Sequence, residues 1–500
     1  MRIHPRVPAL TRLAGAVATA ALLAGSLLSG VGPATAAPAA PQPCVNPGGT
    51  GGCSASINAA IAAAGAGATI TIHHGTYVEN VIVNKAITLK GDGDPVIEPA
   101  LSDPNCGGAG GASNCPGASI VTLVQSDNVT ISGLTVDGDN PALHSGVVVG
   151  GADIDARDGI EVDPTVTYHN LTVRDVTVKN IFLRGIQFQV LNFLIQDDTI
   201  RNVQGDVNAS VGVLARFSSG TMRDNIASDT PDALNSNWSF GIQFLNNTIT
   251  RSGSGVHTDN AGGAGGAVSD LIQDNTVKDC TPGGLGVWSF VSYVAPVFEN
   301  NTVSNCDIGL AAYGTQLPVT PAFYDNTVRG SGGASTVGVL ITTNTLGFTT
   351  DLPIAVFLAN NTITHFGTGI HLQQGTGSGH PLTALLEGNT VSNNGTGIDV
   401  DAGALTLLNS CVQRNTTGVL VRNAGSATAF TNAFQHNTSF GVNNITGTTV
   451  DARLNWWGSA GGPAPSGSGD RISANVNATP FLVQQPESQP CGNGDGGDGD

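Results

Sequence analysis

Asn246-Asn247-Thr248-Ile249-Thr250 decides the fold, because the phrase keeps returning. It comes back as Asp274-Asn275-Thr276-Val277-Lys278, Asn300-Asn301-Thr302-Val303-Ser304 and Asp325-Asn326-Thr327-Val328-Arg329. Two further copies are Asn360-Asn361-Thr362-Ile363-Thr364 and Gly388-Asn389-Thr390-Val391-Ser392. The asparagines before Thr are spaced 28, 26, 25, 35 and 28 residues apart. Gly-aliphatic steps follow several copies: Gly255-Val256, Gly309-Leu310, Gly369-Ile370 and Gly397-Ile398. Weaker copies lie upstream at Asn128-Val129-Thr130-Ile131 and Asn170-Leu171-Thr172-Val173.

A unit this short, made of brief alternating segments, cannot bury its apolar side alone, whereas stacked copies can. No unit holds a ten-residue run with helical periodicity, so helical repeats are excluded. The reading is an all-β, single-chain right-handed parallel β-helix with a short N-terminal capping helix. Its aliphatic residues point inward in columns. Each marker asparagine bonds its equivalent one coil away, about 4.8 Å off.

The ends depart from the repeat. Residues 1–36 read as a signal peptide: Arg2, Arg6 and Arg12, an apolar run, then Ala34-Thr35-Ala36. Residues 37–53 read as a loop, 54–483 as the solenoid, and 484–500 as a Gly/Asp-rich disordered tail. Segment Ser54–Ala64 is Ala-rich and suits a helix over the open N-terminal edge. Trp456 and Trp457 suit a plug for the last coil. Eight cysteines in an exported chain favour disulfides. Cys280 and Cys306 each lie five residues after a marker asparagine, so they sit one above the other and are expected to pair. Cys44 with Cys53, Cys106 with Cys115, and Cys411 with Cys491 complete the set.

Ser56-Ile57-Asn58-Ala59-Ala60-Ile61, Gly75-Thr76-Tyr77-Val78-Glu79 and Ile87-Thr88-Leu89-Lys90-Gly91 resemble the opening of pectate-lyase-like β-helix proteins. The Asn-Thr-Val and Gly-Ile phrases resemble the repeats of that superfamily, and Asn455-Trp456-Trp457-Gly458-Ser459 is similar to a closing motif of its secreted bacterial members. The resemblance implies the fold. It leaves the activity among polysaccharide lyases, pectin esterases, glycoside hydrolases, epimerases and non-catalytic binding proteins. Gln196-Asp197-Asp198-Thr199-Ile200 resembles the aspartate-bearing motif of pectin methylesterases. It has the same frame as Gln273-Asp274-Asn275-Thr276-Val277, and so reads as one more repeat copy.

The formal charge is −18, and there are four lysines: Lys85, Lys90, Lys179 and Lys278. That excludes nucleic acid and anionic membrane as partners, which need clustered cations. An extracellular polysaccharide, met by a secreted monomer, is the expected partner. Alternation sends one outward column along the Gly-aliphatic strands. It carries Arg216, Asn235, Asn237, His257, Asp259, Trp288 and Tyr313, and further on His371, Asp399, Asp401 and Arg422. Catalysis is assigned to His257, Asp259 and Arg216: His257 with Asp259 for acid–base work, and Arg216 for a uronate carboxylate. Asp229 and Asp232 are second carboxylate candidates. Asn235, Asn237, Trp288 and Tyr313 are assigned to substrate binding. Asp153, Asp155 and Asp158, with Glu161 and Asp163 close by, suggest a Ca²⁺ site. The expected activity is that of a polysaccharide lyase or hydrolase. The alternative is a non-catalytic glycan-binding, surface or adhesive solenoid.

Overall fold

The computed structural model describes residues 43–106, 119–260, 268–376, 379–486 and 491. The signal-peptide reading, most of the tail and Cys115 lie outside these residues.

Each coil carries three short strands. In one coil these are Gln243–Leu245 on the first face, Thr248–Thr250 on the second and Ser254–Asn260 on the third. Every face pairs parallel with the coils above and below. Thr248–Thr250, for example, lies between Ile226–Ser228 and Thr276–Lys278. The second face forms a separate 14-stranded sheet among the described residues. The other two faces share one hydrogen-bonded network, joined where Thr396–Leu408 and Thr417–Phe430 run round a corner without a break. Val256, Val287, Leu310, Val339 and Ile370 form one inward column of fully buried aliphatics.

The marker asparagines form a buried ladder at the corner between the first and second faces. Asn247 Nδ2 donates to Asn275 Oδ1 at 2.8 Å, Asn275 to Asn301 at 3.0 Å, Asn301 to Asn326 at 2.9 Å and Asn326 to Asn361 at 2.8 Å. Each amide also donates to a backbone carbonyl, as Asn301 does to Ile272 O. Polar groups can therefore be buried inside the turn without loss of partners. Asp198 occupies the same slot at the start of the ladder: its N–H donates to Asn225 Oδ1 and its Oδ1 accepts from Val176 N. The repeat-copy reading of residues 196–200 therefore holds. Burial pushes the Asp198 carboxyl well above the usual carboxylate range.

On the third face the small residue of each Gly-aliphatic step is set by close approach. A Cβ on Gly255 would lie 2.4 Å from Gly286 O, and one on Gly286 2.4 Å from Gly309 O.

The ends close as expected. Helix α1, Ile57–Ala63, buries Ile57, Ala60 and Ile61. Glu79 holds its N-terminus through Ile57 N, Asn58 N and Ser56 Oγ, and Lys85 Nζ donates to the carbonyls of Ile61, Ala62 and Ala64. Carboxylate at the start and ammonium at the end both suit the helix dipole. Within the segment expected as a loop, Cys44–Val45 pairs with Thr69–His73. At the far end Trp457 is fully buried and stacked on Phe434, with ring centroids 4.9 Å apart. Disulfides join Cys44 to Cys53, Cys280 to Cys306 and Cys411 to Cys491. The Cα atoms of Cys280 and Cys306 are 4.7 Å apart.

Candidate functional site

The third face carries a cleft of 1060 Å³ over the coils that contain Arg184, Val211, Asp232, Ser254 and Leu285. One wall is the turn 207–210. It is pinned by Asn208 N donating to Asp206 Oδ1 at 3.0 Å and Ser210 Oγ donating to Phe182 O at 2.7 Å. The opposite wall is the turn 281–284, which follows Cys280 directly, so the Cys280–Cys306 disulfide ties that wall to the next coil. Gly283 N in the same turn donates to Asp307 Oδ2 at 2.5 Å.

The floor is a bonded unit. Asn235 Nδ2 lies 2.5 Å from Asp232 Oδ2 and 2.8 Å from His257 Nδ1, and His257 Nδ1 lies 3.3 Å from Asp232 Oδ2. The two amide N–H groups thus serve the carboxylate and the ring, which makes Nδ1 the acceptor and places the ring proton on Nε2. Trp288 stacks on the imidazole at 3.6 Å and 14°, and its Nε1 donates to Ser254 Oγ at 2.7 Å. Asp232 Oδ1, Asn235 Oδ1 and His257 Nε2 are buried and have no hydrogen-bond partner among the described residues. Native proteins leave few such atoms, and three stand together here.

The lining is cationic in an acidic chain. Among the described residues Arg184, Arg216 and Arg251 line the cleft, against the single carboxylate Asp232. Arg251 is taken by Asp229, with two contacts of 2.8 Å. Arg184 donates to Gln187 Oε1 at 3.2 Å and to Ala209 O. Arg216 is exposed and makes no ion pair among the described residues; its guanidinium lies 5.8 Å from the Phe217 ring.

Several sequence expectations meet here and others are corrected. Arg216, Asn235, Asn237 and Trp288 line the cleft, and His257 lies just beneath it, 8% exposed. His257 is linked through Asn235 to Asp232, not to Asp259. Asp232 and Asn235, three apart, share the outer side because the small residue Ala233 breaks strict alternation, whereas Asp259 lines a separate cavity. Burial lifts the Asp259 carboxyl to about 7. Tyr313 does not reach the cleft. It is 6% exposed in an outer apolar cluster with Trp288, Ala311 and Leu340.

The Ca²⁺ trio is not assembled. Asp153 Oδ1 accepts from Ser145 Oγ at 2.6 Å and Gly146 N at 3.0 Å, Asp155 Oδ2 accepts from Asn140 N at 3.1 Å, and Asp158 lies 4.0 Å from Arg157 Nε. Among the described residues the one group with converging ligand atoms is Cys44, Cys53 and His73, whose sulfurs are already bonded to each other. Asp158 is instead buried beside Glu161. Burial and then Glu161 push Asp158 well up, and burial lifts Glu161 to about 7.

Arg184 and Gln187 went unnoticed in the sequence. Their signal was available: each stands in register with a residue that was singled out, Arg184 with the slot of Asp232 and Gln187 with that of Asn235.

The sequence profile of the right handed beta helix region matches residues 189–352 and 337–456, more than half of the chain. The chain belongs to that family. Among solved structures this β-helix is similar to the catalytic domain of a GH87 alpha-1,3-glucanase in complex with tetrasaccharides. The identity is 14%, over 79% of this chain and 67% of that one, with a TM-score of 0.43. It is also similar to the pectin methylesterase from Aspergillus niger (12% identity, 59% and 88% covered, TM-score 0.33). A third is pectin methylesterase PemA from Erwinia chrysanthemi (15% identity, 49% and 80% covered, TM-score 0.31). These are likenesses of fold. No curated protein matches the chain.

Proposed function

We propose that this β-helix is an exported protein whose cleft binds an acidic polysaccharide and cleaves it by elimination. The observation that carries the reading is the lining: Arg184 and Arg216, beside an Arg251 already paired with Asp229, against one carboxylate, in a chain of formal charge −18. Such a cleft selects an anionic ligand against the charge of its own surface. Arg216 offers a planar pair of donors to a uronate carboxylate, and Trp288 stands in the same cleft. Paired disulfides suit an oxidising compartment.

The carboxylate count separates two chemistries. Glycoside hydrolysis ordinarily needs two carboxyl groups across the scissile bond, and this lining holds one. Elimination needs one base. With the uronate carboxylate held by Arg216, Asp232 takes the proton from the adjacent carbon. The electron pair forms a carbon–carbon double bond, and the glycosidic oxygen leaves and takes a proton from water. Asn235 holds Asp232 in place and is itself seated on His257.

A second reading, retention without turnover, is favoured by the burial of His257 Nε2 and of Asp232 Oδ1, the carboxylate oxygen that Asn235 leaves free. One experiment separates the two. The protein is passed over immobilised polyuronate and neutral glucan, then incubated with soluble polyuronate while ultraviolet absorbance from unsaturated uronate is followed. Retention on polyuronate alone with rising absorbance is the expected result. Retention without absorbance leaves the binding reading. Equal retention on neutral glucan, or none at all, removes both.

A further inference from the structure

Beside the cleft, at the corner where the third face ends, lies a second and much smaller cavity of 20 Å³. Its walls are aromatic and come from three coils. Trp238 is the penultimate residue of one strand, Phe290 follows the strand two coils on, and Phe348 comes from the long turn 343–353. Trp238 and Phe348 have centroids 5.9 Å apart at 53°, and Phe290 and Phe348 5.9 Å apart at 71°. Tyr293 and Gln316 complete the rim. Among the described residues one charged group lines it, the carboxyl of Asp259. Its Oδ1 accepts from Trp238 N, and its other oxygen bonds to none of the described residues.

The fold goes to some length to build this corner. Elsewhere the left-handed corner positions are mostly Asn and Asp, such as Asn246, Asp274 and Asn300. Here they are Trp238 at φ +54° and the β-branched Val291 at φ +50°, both unfavourable there. Strain of this kind persists where the surroundings impose it, and it gathers at ligand sites. The Phe348 turn is held by its own bonds: Phe348 N donates to Thr345 O at 2.8 Å, and Leu352 N to Thr343 O at 2.9 Å.

We infer that this corner is an ammonium-binding cage, taking the protonated amine of an amino sugar or a similar primary amine. Three features point to that class. Rings set at steep angles wall a corner from several sides, the arrangement a compact cation takes, whereas a pyranose needs one flat platform. The volume admits one group about the size of a water molecule, so a bare ammonium fits and a sugar ring does not. Among the described residues the sole charge lining it is negative. The groups facing Asp259 are His257 on its own strand, Arg216 two coils before, and Asp270 across the corner. Because burial lifts the Asp259 carboxyl to about 7, the cage is charged above neutral pH.

The inference is independent of the cleft and is tested apart from it. At pH 8 tryptophan fluorescence is followed while methylammonium chloride or glucosamine hydrochloride is added, with sodium chloride and glucose as controls at matched ionic strength. Both ammonium compounds should give a saturable change and the controls none. Asp259→Asn and Phe348→Ala should each weaken the response at least about tenfold, the loss of roughly one charge-assisted or cation–π contact. Asp259→Asn keeps the side chain's shape and Phe348 sits on an exposed turn, so at least one variant reports on a folded protein. Phe348→Ala should leave retention on polyuronate as it was. An equal response to glucose, no saturation, or full binding by both variants would overturn the cage.

Discussion

Two stretches of the third face share one register and differ in everything that makes a site. Around His257 the outward column is Asn235, His257 and Trp288, flanked by walls at 207–210 and 281–284. Four coils on, about 19 Å along the axis at the usual strand spacing, it is His371, Asp399 and Leu420. The second group looks at least as chemical. Its charges, however, answer one another: Arg422 meets Asp399 at 3.0 Å and Asp401 at 3.1 Å, and His371 Nε2 lies 3.7 Å from Asp399. In the coils of Asp399 and Arg422 the chain turns the next corner as a continuous strand, Thr396–Leu408 and Thr417–Phe430. What separates a site from a polar column is thus the corner insertions and the charges left unanswered.

The largest expected effect breaks the comparison outright. Asp232→Asn should lower turnover of polyuronate at least about a hundredfold, in the range of a removed general base, while Asp399→Asn leaves it unchanged; absorbance assays on both variants check this. Next comes the wall. Removing the Cys280–Cys306 bond, which closes a 26-residue separation, should cost about 3.5 kcal/mol by chain entropy. Urea unfolding measures that cost. Retention on polyuronate should weaken as well, because turn 281–284 loses its anchor. Removing Cys411–Cys491 should leave retention intact.

Asn301→Ala tests the scaffold that both stretches share. It strips acceptors from Asn275 N and Nδ2 and should cost about 2 kcal/mol, again by urea unfolding. A smaller effect comes from pH. Glu161 has an ordinary value of 4.5 and is raised to about 7 in the fold, so the folded chain keeps a proton that the unfolded chain has released. Its stabilisation is complete below about 4.5 and lost as pH rises through about 7. Melting temperature should therefore fall between pH 5 and pH 8, and Glu161→Gln should flatten that slope. The smallest change is a gain. Asp198→Asn supplies the missing amide at the start of the ladder and should stabilise at neutral pH by about 1 kcal/mol.

Much of the solenoid could be read before any coordinates. The marker asparagines announced themselves because their partner is their own copy, so one sequence position carries the whole contact. Cys280 and Cys306 paired for the same reason, sharing an offset in adjacent units. The cleft was read only in part. Arg216, Asn235, Asn237 and Trp288 followed from simple alternation. The link from His257 through Asn235 to Asp232 did not, because Ala233 breaks that alternation. Tyr313 was misplaced because the alternation does fix its outward direction, yet an outer apolar cluster covers it.

The sequence by itself determined what repeats: a stacked coil, an amide ladder, an inward aliphatic column and an outward one. Each depends on a residue meeting its equivalent at a fixed spacing, and spacing is written along the chain. Only the tertiary structure decided which outward residues face a cleft, which pair with each other and which are covered. Those outcomes depend on where irregular turns fold back, and such turns meet residues several coils away that no period relates to them.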